Sequence, residues 1–265
     1  MLFSSRNNRD LKPPRASYDG AADGANSEPL STAGRAEAIR DALSIALGMD
    51  QRIVVLVAPV DSIPPSLDLL HPAEWAAVQR AVEKRVHEFV VGRVLARHAA
   101  HLLGLAELVL PMGWDRAPVW PAGIVGSITH TSQWCAVAIG RTHEVAGLGL
   151  DIEDHSRVSE ALATRIMTRC EFESYSRLDP RKQELMRSLV FSAKEAAFKG
   201  QYGLTKTMLN FQDVDTHIDI DRLAFHPAYH PPEVARILRP FAQSCRQFHM
   251  NDIVGSAVKV TAKKT

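Results

Sequence analysis

Residues 146–153 read Ala-Gly-Leu-Gly-Leu-Asp-Ile-Glu, an apolar run that ends in two carboxylates. The run predicts a β-strand, in which successive side chains point to opposite faces. Asp151 and Glu153 then share one face, while Ile152 points to the other. Two neighbouring carboxylates repel each other unless a cation lies between them, and oxygen ligands favour a hard metal such as Mg²⁺. Solvated acids at a strand end are the ordinary alternative.

A second motif, Phe-Ser-Ala-Lys-Glu-Ala-Ala-Phe-Lys, occupies residues 191–199 within a helix predicted at about 180–200. Glu195 and Lys199 are four residues apart and therefore share a helix face. Glu195 can supply a third carboxylate to the metal, and Lys199 can place a cation beside a phosphate. The alternative is an ordinary surface ion pair, which contributes little to stability.

Two further features precede these motifs in the chain. His130 follows an apolar strand predicted at 124–129, where its ring can contact an anion or a metal or have a structural role only. The segment Arg80–His101 holds five Lys and Arg residues against two Glu. Arg85 and Arg93 are eight residues apart and project to nearly the same side of this predicted helix. It is either a solvated basic face or, together with the acids, a platform for a polyphosphate substrate with Mg²⁺.

The composition bounds the class of protein. The 265 residues carry 31 Lys and Arg against 30 Asp and Glu, which excludes a histone-like nucleic-acid binder. No apolar run approaches the roughly 18 residues that span a bilayer. The first residues lack the apolar stretch of a secretion signal, and three scattered cysteines predict reduced thiols. We therefore expect a cytoplasmic protein.

The remaining elements follow from periodicity and turn residues. Residues 1–35 are polar and are expected to form a disordered tail. Helices are expected at about 158–168, 171–177 and 232–242, with one or two helices over 72–103 and a hairpin at about 246–261. The pattern predicts an α/β fold with mostly antiparallel strands, because several connections are too short for crossover helices.

Taken in order, the motifs resemble the 4′-phosphopantetheinyl transferase superfamily, in particular the group around the enterobactin synthetase transferase. The resemblance covers roughly residues 50 to 260. Its motifs are Glu-Phe-x-x-Gly-Arg at 88–93, Arg-Ala-Pro-Val-Trp-Pro at 116–121, Gly-Ser-Ile-Thr-His at 126–130, Gly-Leu-Asp-Ile-Glu at 149–153 and the helix motif at 191–199.

The resemblance implies an enzyme that transfers the 4′-phosphopantetheine arm of coenzyme A to a serine hydroxyl of an apo acyl or peptidyl carrier protein. It implies Mg²⁺, or Mn²⁺ in its place, and release of adenosine 3′,5′-bisphosphate. Two similar α/β halves related by a pseudo-twofold are expected, over residues 36–146 and 147–265, with coenzyme A and the metal between them. A monomer is expected, acting on siderophore, polyketide, peptide or fatty-acid synthases in secondary metabolism.

The resemblance also implies a role for each matching residue. The implied metal ligands are Asp151, Glu153 and Glu195. Glu195, or a water held near it, is the implied base, and Lys199 the lysine near the transferred phosphate. Contacts to coenzyme A are implied for Thr129 and His130 at the nucleotide end and for Arg85, Arg93 and Arg116 at the phosphates.

Two other classes of protein remain open from the sequence. An inactive coenzyme A- or carrier-binding module needs the basic residues and not the acids, and all three acids are present. A metal-dependent phosphodiesterase also combines acids with basic helices. The near-neutral charge argues against that class.

Overall fold

The computed structural model describes residues 30–263. The tail expected over residues 1–35 therefore lies outside the described residues, except for its last six. Those six contain the start of a helix at Thr32. The Ser31 hydroxyl accepts a hydrogen bond from the Gly34 amide at 3.2 Å and caps that helix. The helix thus occupies the last four residues of the expected tail.

The N-terminal half, residues 30–146, consists of helices around a small antiparallel sheet. Its elements are α1 (Thr32–Ala46), β1 (Ile53–Pro59), α2 (Pro72–Trp75), α3 (Glu83–Leu102), β2 (Ile124–His130) and β3 (Trp134–Arg141). Strand β3 lies between β1 and β2 and pairs antiparallel with both. The helical pattern over 72–103 forms two helices. Helix α3 buries Leu95, Ala96 and Ala99 in a core that includes Val137 and Ile139 of β3.

The C-terminal half, residues 147–263, has a larger antiparallel sheet. Its elements are β4 (Gly147–Asp154), α4 (Glu160–Ile166), α5 (Arg169–Tyr175), α6 (Pro180–Thr205), β5 (Val214–Asp219), β6 (Ala224–Tyr229), α7 (Pro232–Leu238), β7 (Phe241–Met250) and β8 (Ile253–Ala262). The strand order is β4-β8-β7-β6-β5. The prediction of a helix up to residue 242 was wrong, because β7 begins at Phe241, which pairs with Ala262.

The sheet β1-β3-β2 has the same topology as the strands β4-β8-β7 of the second half, to which β6 and β5 add at one edge, and this agrees with the expected α/β fold with two similar halves. In the first half, β1 leads to α3, β2 and β3, and β3 returns beside β1. In the second, β4 leads to α6 and later to β7 and β8, and β8 returns beside β4. Within residues 30–263, no helix is long and apolar enough to cross a membrane.

Two glycines let α6 approach β4 closely. A Cβ added at Gly149 would lie 1.9 Å from the Ala196 carbonyl oxygen, so only a glycine fits there. Gly200 on α6 faces the same contact. Because side chains alternate along a strand, Asp151 follows Gly149 on the face that meets α6. The close packing therefore brings the helix motif to the strand carboxylates.

The two halves meet where β2 runs beside β4. The Ser127 hydroxyl accepts a hydrogen bond from the Leu150 amide at 2.9 Å, and the Thr129 hydroxyl accepts one from the Ile152 amide at 3.2 Å. These hydroxyls satisfy main-chain donors on the outer edge of β4. On the opposite face, Leu150 and Ile152 join an apolar core that includes Leu43 of α1.

Candidate active site

Asp151 is the centre of a buried charged cluster. The residue is 2% exposed. Its Oδ1 accepts hydrogen bonds from Lys199 Nζ at 2.8 Å and from the Thr129 hydroxyl at 3.2 Å. Its Oδ2 is buried and has no hydrogen-bond partner among the described residues. A buried carboxylate oxygen left unpartnered is costly, so this atom marks a place where a ligand can bind.

Glu153 lies beside Asp151 and is also buried. Burial, with repulsion from Glu195, raises the pKa of Asp151 to about 6, although Lys199 acts against the rise. Burial and the charge of Asp151 raise the pKa of Glu153 to about 8. Arg157 Nη1, 3.2 Å from Glu153 Oε2, offsets only part of this effect. The cations near Asp151 and Glu153 are therefore not sufficient to keep the pKa values of these two carboxylates in their ordinary range.

Helix α6 adds Lys199 and Glu195 to the cluster, as the four-residue spacing predicted. Lys199 Nζ lies 3.9 Å from Glu195 Oε2 and donates to the Leu150 carbonyl at 3.1 Å. Burial alone would lower the pKa of Lys199, but the carboxylates of Asp151, Glu195 and Glu153 outweigh it and raise the pKa. The lysine is thus a fixed cation between a strand carboxylate and a helix carboxylate.

The cluster fits a divalent cation in its chemistry. In residues 30–263, no three His, Cys, Asp or Glu side chains are already arranged around a metal position. The donor set is nevertheless all carboxylate oxygen, which suits Mg²⁺. The unpartnered Oδ2 of Asp151 and the raised pKa values of Asp151 and Glu153 are the features that a bound cation would relieve.

His130 and Arg85 form a second polar group across from the acids. His130 Nε2 lies 3.1 Å from Arg85 Nη1 and 3.6 Å from Glu88 Oε2. Burial lowers the pKa of His130, the cations Arg85, Lys199 and Arg157 lower it further, and Glu88 opposes them. The interaction with Lys199 places His130 within electrostatic reach of the Asp151 cluster. The Arg85 side chain is 42% exposed and therefore accessible to an anion.

Two expected contact residues are placed differently from what the sequence suggested. Thr129 is buried, and its hydroxyl orients Asp151, so it supports the cluster instead of presenting a free group. Arg93 is 6% exposed, and its Nε donates to the Leu110 carbonyl at 2.6 Å. Burial lowers the pKa of Arg93 to about 10. The structure does not bring Arg93 to His130 as it brings Arg85.

Arg116 lies in the connection between α3 and β2 and is exposed. Its φ of 67° is in the left-handed region. The neighbouring Asp115 accepts a hydrogen bond from the Tyr202 hydroxyl of α6, so this connection contacts the C-terminal half.

Three charged residues in or near this site were given no role from the sequence. Arg157 pairs with Glu153, and Glu88, quoted only as part of the motif at 88–93, pairs with Arg85. Lys194 lies inside the helix motif and is fully buried, with Nζ 2.8 Å from Glu171 Oε2. Its position in the motif could have identified it, but its partner 23 residues earlier could not be inferred.

Family models match both halves of the chain. The 4′-phosphopantetheinyl transferase N-terminal domain matches residues 73–140, and the 4′-phosphopantetheinyl transferase superfamily matches residues 147–245. The chain is 37% identical over 166 residues to the 4′-phosphopantetheinyl transferase Svp of Streptomyces mobaraensis, covering 62% of this chain and 68% of that protein. The chain therefore belongs to the 4′-phosphopantetheinyl transferase superfamily and is a transferase of that class.

Other relatives include the group named by the sequence resemblance. The chain is 34% identical to the 4′-phosphopantetheinyl transferase PptT of Mycobacterium tuberculosis, over 62% of this chain and 71% of that protein. It is 36% identical to enterobactin synthase component D of Escherichia coli, over 50% and 62% respectively. A solved holo-(acyl-carrier-protein) synthase of Bacillus anthracis matches 45% of this chain and 99% of its own at 21% identity, with a TM-score of 0.36. With this identity and this TM-score, the similarity gives no information about the site.

Proposed function

We propose that this protein transfers the 4′-phosphopantetheine arm of coenzyme A to a serine hydroxyl of an apo acyl or peptidyl carrier protein, in a Mg²⁺-dependent reaction. The observation that carries the proposal is the buried Asp151, which pairs with Lys199 through one oxygen and whose other oxygen has no hydrogen-bond partner in the described part of the chain. The names of the relatives, 4′-phosphopantetheinyl transferases and enterobactin synthase component D, support the same substrates.

Asp151, Glu153 and Glu195 would hold the cation in this proposal. When bound, Mg²⁺ (or Mn²⁺) neutralises charge on the diphosphate of coenzyme A. Lys199 is already held by Asp151 and can bind an oxygen of the phosphoryl group that is transferred. Arg85 and His130 present donors on the other side of the cluster, where guanidinium can pair with a phosphate through two parallel hydrogen bonds.

Glu195 is suited to receive the proton of the attacking serine. Its side chain is 31% exposed, unlike those of Asp151 and Glu153, so a carrier serine or a water can reach it. The serine oxygen forms a bond to the phosphorus of the pantetheine phosphate, and the bond from that phosphorus to the bridging oxygen breaks. The serine proton goes to Glu195, directly or through a water, and adenosine 3′,5′-bisphosphate leaves.

The setting of the reaction is proposed from the same resemblance. We propose that the two halves, divided near residue 146, act together with the cluster at their boundary; the tail expected over residues 1–35 is shortened at its end, because α1 begins at Thr32. We propose a cytoplasmic monomer whose carriers belong to siderophore, polyketide, peptide or fatty-acid synthases.

The test is the mass of a purified apo carrier protein after incubation with coenzyme A, Mg²⁺ and this protein. We expect a gain of one phosphopantetheine arm. Glu195→Gln should slow transfer by about 10²- to 10⁴-fold, the usual contribution of general-base catalysis. Glu173→Gln is the matched control, because Glu173 is also a helix glutamate paired with a cation four residues away, Arg169, but is exposed on α5.

The two possible failures are distinct. A carrier mass that never changes with the wild-type protein contradicts the proposed function. Normal transfer by Glu195→Gln contradicts only the role given to Glu195. If Glu173→Gln slowed transfer as much as Glu195→Gln, the loss of any helix ion pair would be enough to slow the reaction, and the site assignment would be wrong.

A further inference from the structure

The segment from Pro111 to Pro118, which we call the Arg116 loop, is a tight turn around Arg116. The Arg116 amide donates to the Gly113 carbonyl at 2.9 Å, and the Gly113 amide donates to the Ala117 carbonyl at 2.8 Å. Asp115 Oδ1 accepts from the Ala117 amide at 3.0 Å. Arg116 is therefore held on both sides in a left-handed conformation that a residue with a Cβ rarely adopts.

The same Asp115 carboxylate joins the loop to the other half of the protein. Its second oxygen, Oδ2, accepts a hydrogen bond from the Tyr202 hydroxyl of α6. Among the side-chain and main-chain hydrogen bonds of residues 30–263, this one alone ties the Arg116 loop to the C-terminal half. The Tyr202 ring is mostly buried and packs against Phe198 with centroids 5.4 Å apart. The hydrogen bond to Asp115 raises the pKa of Tyr202 to about 12, so the phenol is a donor at neutral pH.

Helix α6 connects this contact to the candidate active site. Glu195, Lys199 and Tyr202 are spaced by four and three residues, so they lie along one helix face. Lys199 and Tyr202 are separated by about 4.5 Å along the helix axis. The first contacts Asp151 and the second contacts Asp115. The position of the Arg116 loop is therefore set relative to Lys199 by a single turn of helix.

We propose that Tyr202 is a positioning residue: its hydrogen bond to Asp115 fixes the Arg116 loop to α6 and so holds Arg116 where it meets a phosphate of coenzyme A. This rests on the proposed function, since it takes coenzyme A as the ligand. Without the bond, the turn can form but its place relative to Lys199 is not fixed. Loss of the bond should therefore weaken the binding of coenzyme A and leave the rate of the chemical step unchanged.

The experiment measures the Kd for coenzyme A by calorimetry, and kcat and KM for transfer to a carrier, in a double-mutant cycle. The proteins are wild type, Tyr202→Phe, Arg116→Ala and the double variant. Tyr202→Phe should raise the Kd by about three- to tenfold, less than the roughly 10- to 150-fold that a direct hydrogen bond to a charged group contributes, because Tyr202 acts on coenzyme A only through the Arg116 loop. The kcat should stay close to its wild-type value. In the Arg116→Ala background, Tyr202→Phe should have little further effect, because the group it positions is gone.

Tyr229→Phe is the matched control. The Tyr229 hydroxyl also bonds next to α6, at 3.4 Å from the Ala197 carbonyl and 3.2 Å from Gln243 Oε1, but both partners lie in the C-terminal half. Its Kd for coenzyme A should match wild type. Should Tyr202→Phe fail to fold, Asp115→Asn replaces it. The amide has one acceptor oxygen where the carboxylate has two, so it cannot accept from both the Ala117 amide and the Tyr202 hydroxyl as the carboxylate does, and a rise in Kd is expected here too.

The outcomes separate the two claims. A wild-type protein that neither binds coenzyme A nor modifies a carrier contradicts the proposed function and this inference with it. A wild-type protein that does both, together with an unchanged Kd in Tyr202→Phe, overturns the inference alone. An equal rise in Kd in the wild-type and Arg116→Ala backgrounds also overturns it, because Tyr202 would then act independently of Arg116.

Discussion

Two lysines of helix α6, Lys194 and Lys199, lie five residues apart, and each pairs with a buried carboxylate in a different way. Lys194 Nζ binds Glu171 Oε2 and donates to the Phe211 and Val214 carbonyls at 2.6 and 2.8 Å. Glu171 in turn accepts from the amide and hydroxyl of Thr216 and from the Thr168 amide. In this first pair, both charged groups have several polar partners.

The second pair, Lys199 with Asp151, is incomplete. Within residues 30–263, Asp151 keeps one oxygen without a hydrogen-bond partner, and a second buried carboxylate, Glu153, lies beside it with a raised pKa. A buried ion pair whose polar atoms all have hydrogen-bond partners is consistent with a structural role. Buried carboxylates that lack enough cations or hydrogen-bond donors are typical of a functional site. The two pairs therefore differ in how completely their polar atoms are hydrogen-bonded, more than in their burial or their charge.

Breaking the saturated pair should give the largest change in stability. Glu171→Gln leaves Lys194 buried without its counter-ion, and we expect the free energy of unfolding to fall by about 3–5 kcal/mol. Urea denaturation checks this value. The exposed pair Arg169–Glu173 is the control, and Glu173→Gln should change stability by less than about 1 kcal/mol. Equal effects of the two substitutions would contradict the structural role of Lys194 and Glu171.

The basic helix α3 offers a comparison of the same kind. Arg85 is accessible beside His130, whereas Arg93 is buried with its Nε on the Leu110 carbonyl. If Arg85 pairs with the 3′-phosphate of coenzyme A, wild type should prefer coenzyme A over dephospho-coenzyme A by roughly 10- to 150-fold, corresponding to about 1.5–3 kcal/mol. Arg85→Ala should reduce this ratio of kcat/KM values.

Arg93→Ala should instead lower the melting temperature and keep most of the preference for coenzyme A. If Arg93→Ala lost the preference for coenzyme A over dephospho-coenzyme A while Arg85→Ala kept it, Arg93 and not Arg85 would be the residue that contacts the 3′-phosphate. The KM for the carrier should remain near wild type in both variants. If that KM rises while the preference persists, α3 binds the carrier instead.

A further comparison concerns the pH dependence of stability in the metal-free protein. The pKa of Glu153 is raised from 4.5 to about 8 by burial and Asp151. Between these values the folded state holds the proton more tightly than the unfolded state, so stability should fall as pH rises from about 5 to 8. Melting temperatures measured at a series of pH values in the presence of a chelator test this. The melting temperature of Glu153→Gln should depend less on pH than that of wild type.

Mg²⁺ should raise the melting temperature more at pH 8 than at pH 5, because the carboxylates must be ionised to bind it. Glu171→Gln should keep this response, whereas Asp151→Asn should lose it. An identical shift at both pH values, or a full shift in Asp151→Asn, would argue against metal binding by the cluster.

Local patterns in the sequence predicted much of the fold and the part of the site that lies on single elements. Alternation placed Asp151 and Glu153 on one strand face, and the four-residue spacing placed Glu195 beside Lys199 on a helix. Contacts between distant segments could not be read in this way. Thr129 reaches Asp151 across 22 residues, and the Asp115–Tyr202 bond spans 87.

The burial of individual helix residues depends on tertiary packing and could not be predicted from the sequence either. The same helical periodicity describes Arg85 and Arg93, and only the packing of α3 against its sheet shows that Arg93 is buried. The start of β7 was missed for a related reason. Residues 241–245 carry little strand pattern of their own and are extended because β8 pairs with them.

The most direct test of the account compares the two lysine pairs in one assay. An apo carrier protein is incubated with coenzyme A, Mg²⁺ and either Asp151→Asn or Glu171→Gln, at a temperature where circular dichroism shows both variants folded. The account predicts that the carrier gains the phosphopantetheine arm with Glu171→Gln and that Asp151→Asn is slower by about 10²- to 10³-fold. Full transfer by Asp151→Asn would contradict the claim that the incomplete Lys199–Asp151 pair marks the active site.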